Sequence, residues 1–219
     1  MQRVHLPFFD QNSEALDRRI AKGLHKIGLA LKHQTWLQAS EEGLSPTQGQ
    51  ILAALATDGP LTGSELAKRL GITLPTISDS VRVLVEKSFA IKKPDERHPR
   101  ASLIELTASG QRIAAKTKTW PEFLATAVSA LTPTELEAFN TGLIKMITVL
   151  QEAGQIPTNR MCVNCTSFRP RVHEGPMPHH CTFVDAPMAD RHLRIDCAEH
   201  TESTKAERAL TWRTFAAAT

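Results

Sequence analysis

The chain has 219 residues, of which 41% are apolar and 22% charged, and its formal net charge is +3. That length suits one large domain, or one domain with a small module, and the apolar share supports a buried core. The pI of about 8.7 is compatible with a nucleic-acid partner without demanding one, and no run reaches the ~18 apolar residues of a membrane span. Met1–Asp10 lacks the apolar stretch of a signal peptide, so the expected setting is the cytoplasm, away from membranes and with thiols reduced.

Residues 13–41 carry Leu16, Ile20, Leu24, Ile27 and Leu31 at helical spacing and predict one long amphipathic helix. Ser13 is its expected cap, and Glu14 and Asp17 suit the positive end of the dipole. Ser45-Pro46-Thr47 opens a second helix with Pro46 at the first position and Ile51, Leu52 and Leu55 as its buried stripe; Asp58-Gly59-Pro60 ends it. Thr62-Gly63-Ser64-Glu65 is a capping box for a short helix, Gly63–Leu70, stopped by Gly71. Thr73 caps the next helix, expected to run to about Ser88, with Ile77, Val81, Leu84 and Val85 as its apolar face. Two short helices joined by a tight glycine turn predict a helix-turn-helix.

The stretch from Ile91 to Arg100 is charged and holds two prolines, and Ala101–Thr107 is β-prone; together they predict a strand, a basic loop and a return strand, the wing of a winged helix. Thr107-Ala108-Ser109-Gly110 begins another helix, which continues to Ala130 with a break near Trp120-Pro121. Thr132-Pro133-Thr134-Glu135 caps a further helix to about Glu152, and Gly154 and Pro157 end the regular part. Residues 158–201 hold five histidines and four cysteines with no helical period, which predicts a module folded around a metal rather than around a core. Thr201–Phe215 is a candidate terminal helix.

This order is recognisable. Leu44-Ser45-Pro46-Thr47-Gln48, Leu61-Thr62-Gly63-Ser64-Glu65-Leu66-Ala67, Thr73-Leu74-Pro75-Thr76-Ile77-Ser78 and the pattern Asp95-x-Arg97…Leu106-Thr107-x-x-Gly110 resemble the MarR family of bacterial transcription regulators over roughly residues 10–155. The chain departs from the family at Glu96-Arg97-His98-Pro99, where the family often has Asp-Arg-Arg, and throughout the segment after 157. The resemblance implies a homodimer built from the first and last helices and binding palindromic double-stranded DNA. The expected fold is mainly α: a winged helix-turn-helix with a small β wing, dimerising terminal helices and an irregular cysteine-rich C-terminal module. The expected division is residues 10–157 for DNA binding and dimerisation and 158–219 for a metal-binding tail.

In this architecture the second helix of the motif enters the major groove. Away from the Ile77/Val81/Leu84 stripe, its groove-facing residues would be Thr73, Pro75, Thr76, Ser78, Asp79 and Arg82. Hydroxyls meet phosphates or base edges, Arg82 suits phosphate or guanine, and Asp79 is unfavourable near phosphate unless Arg82 or a base amine faces it. Arg97 and Arg100 in the wing would reach the flanking minor groove or backbone; Lys92 and Lys93 stay unassigned.

Cys162, Cys165, Cys181 and Cys197 are the only cysteines, spaced C-x2-C-x15-C-x15-C. Four thiolates converging make a tetrahedral metal site or hold an iron–sulfur cluster; two disulfides are the alternative that a reduced compartment disfavours. Zinc normally takes paired knuckles: Cys162-x-x-Cys165 is one, and Cys197-x-x-His200 would be the other, leaving Cys181 over. A cluster accepts widely spaced single cysteines without surplus ligands, and the reading leans to it, with Zn2+ as the alternative and His200 as reserve ligand. His179 and His180 read as supporting donors or surface residues.

The leading expectation is a DNA-binding regulator, not an enzyme, whose cysteine tail senses redox state, oxygen, nitric oxide or metal supply. A second is a regulator with structural zinc and a small aromatic effector. A third, from another class, is an electron-transfer or thiol enzyme carrying a winged helix; the lack of a glycine-rich cofactor loop counts against it.

Overall fold

The computed structural model of the protein describes residues 8, 12–95, 101–117 and 122–217. Helix α1 spans Leu16–Glu41. Ser13 does not cap it: the N-cap is Ala15, which makes no side-chain bond. Of its 26 residues only Ala39 is buried.

Helix α2 (Pro46–Asp58) opens on a full capping box in which Ser45 Oγ accepts from the Gln48 amide and Gln48 Oε1 accepts from the Ser45 amide. Strand β1 (Leu61–Thr62) follows, then α3 (Gly63–Leu70), whose Thr62–Glu65 box forms as the sequence predicts. Gly71 ends α3 in the left-handed region at φ 65°. Helix α4 (Leu74–Glu86) is capped by Thr73 and stops before Ser88, which turns the chain at φ 58°. Val85, expected on the apolar face, is exposed, because the stripe that meets the core is Ile77, Val81 and Leu84.

Strands β2 (Ala90–Pro94) and β3 (Ser102–Leu106) pair antiparallel, Ala90 opposite Leu106 and Pro94 opposite Ser102. Strand β1 adds to the other edge of β3, giving the order β1-β3-β2. Helix α5 (Ala108–Thr117) starts where Gly110 lies against the Phe89 carbonyl: a Cβ there would sit 1.8 Å from that oxygen. Helix α6 covers Glu122–Val128; the expected break at Trp120-Pro121 falls outside the described residues. Helix α7 (Pro133–Glu152) opens on the Thr132–Glu135 capping box. One core, including Ile51, Leu52, Leu66, Ile77, Leu84 and Ile104, joins α2 to β3.

The segment after 157 differs from expectation. It is ordered by a sheet and by apolar packing of its own. A 3-10 turn (Cys162–Asn164) leads to β4 (Phe168–Arg169), β5 (His179–Cys181) and β6 (Ala186–Met188), antiparallel in the order β4-β5-β6. A second 3-10 turn (Asp190–His192) and helix α8 (Lys205–Ala216) complete it. Met161, Val163, Phe168, Leu193 and Phe215 form a second apolar cluster together with Ile144 of α7. The prediction of a module without a core is thus corrected. Its apolar residues are few and scattered in sequence, but α8 folds back over them and α7 supplies the other wall.

Candidate nucleic-acid interface and cysteine centre

Thr73, Pro75, Thr76, Ser78, Asp79 and Arg82 all lie on the exposed side of α4, opposite the buried Ile77, Val81 and Leu84. The Thr73 and Thr76 hydroxyls are 2.8 Å apart at the helix start. Arg82 pairs with Glu86 one turn on at 2.7 Å, so the charge beside Asp79 is already engaged on its own helix. Both partners are largely exposed, and a pair of this kind is worth only ~0.3–0.5 kcal/mol.

The wing is set against α4 by a cluster of hydrogen bonds. Thr107 and Ser109 both donate hydroxyls to the Ser88 carbonyl at 2.7 Å, and the Gly110 amide donates to Thr107 Oγ1. Thr107, Ser109 and Gly110 therefore hold the end of α4, the start of β2 and the end of β3 together, which explains the Leu-Thr-x-x-Gly pattern in physical terms. Lys92 is exposed, and Lys93 pairs with Glu105 across the β2–β3 ladder at 2.6 Å. Arg97 and Arg100 lie outside the described residues.

The four cysteines are free thiols and all line one cavity of about 300 Å³, whose wall is otherwise largely apolar: Phe168, Phe183, Val184, Pro187 and Met188. Cys162 and Cys165 reach it from the first 3-10 turn, Cys181 from the end of β5, and Cys197 from the loop before α8. Three N–H groups point at the sulfurs. The Arg194 amide donates to Cys162 Sγ at 3.2 Å, the Ser167 amide to Cys165 Sγ at 3.5 Å, and the Arg194 guanidinium to Cys197 Sγ at 3.7 Å. Burial pushes the Cys162 thiol up, and the other three cysteines push it further. Among the described residues no three His, Cys, Asp or Glu side chains come together closely enough to hold a single metal ion. The sulfurs border a space; they do not meet at a point.

His179 is fully buried, between Phe168 and Phe215 at ring distances of 5.2 and 5.7 Å. Its Nδ1 accepts from the Arg171 amide and its Nε2 faces Asp190 Oδ1 at 2.7 Å, so both nitrogens are used. His180 lies between His173 and Asp185, each at 3.1 Å. His200 is not on the cavity wall; its ring is held by the Asn164 carbonyl, and burial keeps its imidazole below the usual range. The histidine that does line the cavity is His192, whose Nδ1 accepts from the Ala189 amide. Sequence reasoning missed His192 and Arg194. Their nearness to Cys197 was the available signal.

A tie between the two parts was also missed. Arg69 of α3 pairs with Asp58 at 3.1 Å and Asp196 at 2.8 Å, and Arg160 pairs with the same two carboxylates at 3.0 and 2.7 Å. The Arg160 guanidinium, helped by Arg69, holds the Asp196 carboxyl down at about 2. Beside this quartet, Pro157 packs on Gly71, where a Cβ would lie 2.8 Å from Pro157 Cδ.

Among the described residues no helix is long and apolar enough to cross a membrane. A further cavity of about 500 Å³ lies between α1, α2 and the end of α5, lined by Leu31, Trp36, Gly49 and Thr117.

The sequence model of the MarR family matches residues 42–101, which takes in the helix-turn-helix and the first strand of the wing. No curated protein matches the sequence significantly. Among solved structures, the chain is similar to the MepR–DNA complex of Staphylococcus aureus, at 30% identity and a TM-score of 0.53 over 60% of this chain and 98% of that one. It is similar to S. aureus MepR in its DNA-binding conformation, at 29% identity and a TM-score of 0.54 over the same shares. Streptococcus pneumoniae FabT in complex with DNA shares the fold, at 20% identity and a TM-score of 0.56 over 62% of this chain and 98% of that one. With a capped helix-turn-helix, a wing held by Thr107 and Gly110, and these likenesses, the chain belongs to the MarR family of winged-helix transcriptional regulators.

Proposed function

We propose that this regulator binds double-stranded DNA as a homodimer and that Cys162, Cys165, Cys181 and Cys197 hold an iron–sulfur cluster through which it responds to redox state, oxygen, nitric oxide or metal supply. The observation that carries the cluster reading is the single cavity shared by all four thiols. A tetrahedral zinc with ~2.3 Å bonds draws its sulfurs to within about 3.8 Å of one another, whereas a cluster keeps them apart because the inorganic core stands between them. When bound, a cluster supplies one-electron chemistry and reactivity toward oxygen and nitric oxide. The chain's own part is to hold four thiolates, to donate N–H groups from Arg194 and Ser167 to their sulfurs, and to set largely apolar side chains beside them. Anaerobic purification with visible absorbance and iron, sulfide and zinc analysis tests this. Iron and sulfide in equal amounts with a broad visible band support it, and a colourless protein with stoichiometric zinc overturns it.

On the DNA side, the exposed face of α4 supports groove entry by Thr73, Pro75, Thr76, Ser78, Asp79 and Arg82, with Arg97 and Arg100 from the wing. Replacing Arg97 and Arg100 together by alanine is expected to lower the salt slope of binding by about two units, one per phosphate contact; an unchanged slope removes the wing from the interface. The dimer is supported by the exposed apolar residues of α1 and α7.

A second reading places a small aromatic effector in the cavity beside Trp36 and Leu31, with structural Zn2+ in the tail. The cavity favours the effector but says nothing for zinc, so the metal analysis separates the two.

A further inference from the structure

The cysteine module is fixed to the helix-turn-helix at a small number of points, and the strongest of them runs through residues next to the cysteines. Asp196 directly precedes Cys197 in sequence, and the Cys197 amide donates to the Arg160 carbonyl at 2.9 Å. Arg160 and Asp196 thus form one rigid unit with the Cys197 backbone. Their side chains meet Asp58, the last residue of α2, and Arg69, in the last turn of α3. Each arginine touches both carboxylates: Arg69 with Asp58 and Asp196, and Arg160 with Asp58 and Asp196. Asp58 and the two arginines are mostly sheltered from solvent, with side chains 12%, 26% and 29% exposed, while Asp196 is 47% exposed; the Asp58 side of the network is less screened than an isolated surface pair. α3 carries into α4 through the Gly71 turn, and Pro157 closes on that turn from the module's side. A displacement of the Cys197 loop therefore pulls on α3, and with it on the helix whose exposed face is offered to DNA.

We propose that the quartet Asp58–Arg69–Arg160–Asp196 is the coupling element of this regulator, the contact through which occupancy of the cysteine centre sets the order and position of α3 and α4. The inference rests on the reading that the four cysteines hold an inorganic cluster, and it adds to that reading the route by which the cluster's state reaches the DNA-binding helices. Lys68–Glu202, at 3.5 Å and largely exposed, lies beside the quartet on the same helix and is not assigned this role.

The test compares the full-length protein, prepared anaerobically with its cluster, with the same protein after cluster removal by chelator and oxidant. Iron and sulfide are measured in both forms, and amide hydrogen exchange is followed over residues 63–86. In the wild type, cluster removal is expected to speed exchange there by about tenfold, within the usual range of coupling between sites. Arg69→Gln lies away from the cysteines and should retain full iron and sulfide, yet its exchange rates in the two forms should agree within about twofold. Asp58→Asn repeats the test from α2 and should behave alike. Lys68→Gln should keep the wild-type difference.

If Arg69→Gln and Asp58→Asn keep both the cluster and the wild-type difference, the quartet is not the link, and the cluster reading stands without it. A wild type that holds the cluster but exchanges equally in both forms overturns the coupling in the same way, as does an equal loss of the difference in Lys68→Gln. A wild-type protein with no iron or sulfide after anaerobic preparation overturns the cluster reading, and this inference with it.

Discussion

Gly110 and Arg82 show two different ways in which one residue governs the DNA-binding unit. At Gly110 the constraint is steric: α5 begins so close to the backbone of Phe89 that no side chain fits. Gly110→Ala must push the wing away from α4 or open the bonds at Ser88, and is expected to cost about 2–4 kcal/mol, seen as a lower urea midpoint. At Arg82 the constraint is electrostatic. Its guanidinium pairs with Glu86; on the proposed reading it leaves that partner for DNA, so Arg82→Ala should weaken DNA binding by about 1–3 kcal/mol and flatten the salt dependence by about one unit, with folding unchanged. Fluorescence anisotropy across a salt series measures both; equal affinity and slope would remove Arg82 from the interface. Residues whose partners lie three positions away, such as Thr62 with Glu65, were legible in the sequence because capping is local. Arg69 was not, because its Asp196 partner lies 127 positions along the chain and nothing in the intervening spacing announces it.

The helices carry information of a second kind in what they leave uncovered. α1 buries Ala39 alone, while Leu16, Ile20, Ile27 and Leu37 stay exposed; α7 likewise exposes Phe139, Met146 and Val149. Contiguous exposed apolar faces mark association surfaces, and a second copy with the same helices is the partner the family resemblance implies. Ile27→Asp should therefore yield a species near 24.1 kDa in light scattering where the wild type gives about twice that mass; a wild type of 24.1 kDa would end the dimer proposal. The α1 stripe was legible from its helical period, but its purpose was not, because period alone does not say whether a stripe meets a core or another chain.

Helix starts also answer to pH. Thr132 holds the Glu135 carboxyl below the usual glutamate range, first through its amide and then through its hydroxyl, and Thr204 does the same for Glu207. A lowered folded pKa gives stability that is complete above the unfolded value of about 4.3 and is lost as pH falls through the folded one. Acid titration by circular dichroism should show helix loss at lower pH in the wild type than in Thr132→Ala, and coincident curves would contradict this.

At the scale of the whole molecule, the sequence singled out the tail by its four cysteines and concealed how the tail is built. The C-x2-C-x15-C-x15-C spacing predicts thiols around one centre; the four line one cavity, and among the described residues no three of them close on a single ion. The β4-β5-β6 sheet and the packing of Met161, Phe168 and Phe215 against Ile144 were illegible, because strands of two or three residues leave no period to read and the core residues come from distant segments. The consequence for mutation is specific. Cys181→Ser should lose iron while the module stays resistant to limited proteolysis, since the apolar cluster does not include that thiol. Phe215→Ala, which hollows out the contact with Phe168, His179 and Trp212, should cost about 3–5 kcal/mol and make the module protease-sensitive. The opposite pattern would show that the metal alone holds it.

Helix α7 belongs to both halves. Ile144 and Ile147 on one side close the second cluster, and Phe139 and Val149 on another remain exposed. A protein shortened at Gly154 would keep every residue of the helix-turn-helix and still present Ile144 and Ile147 to water, adding a second apolar face to the one already exposed on α1 and α7. The natural joint in the sequence is therefore a poor place to cut: such a fragment should precipitate where the full chain stays dispersed, and solubility would return if those two isoleucines were made polar along with the truncation.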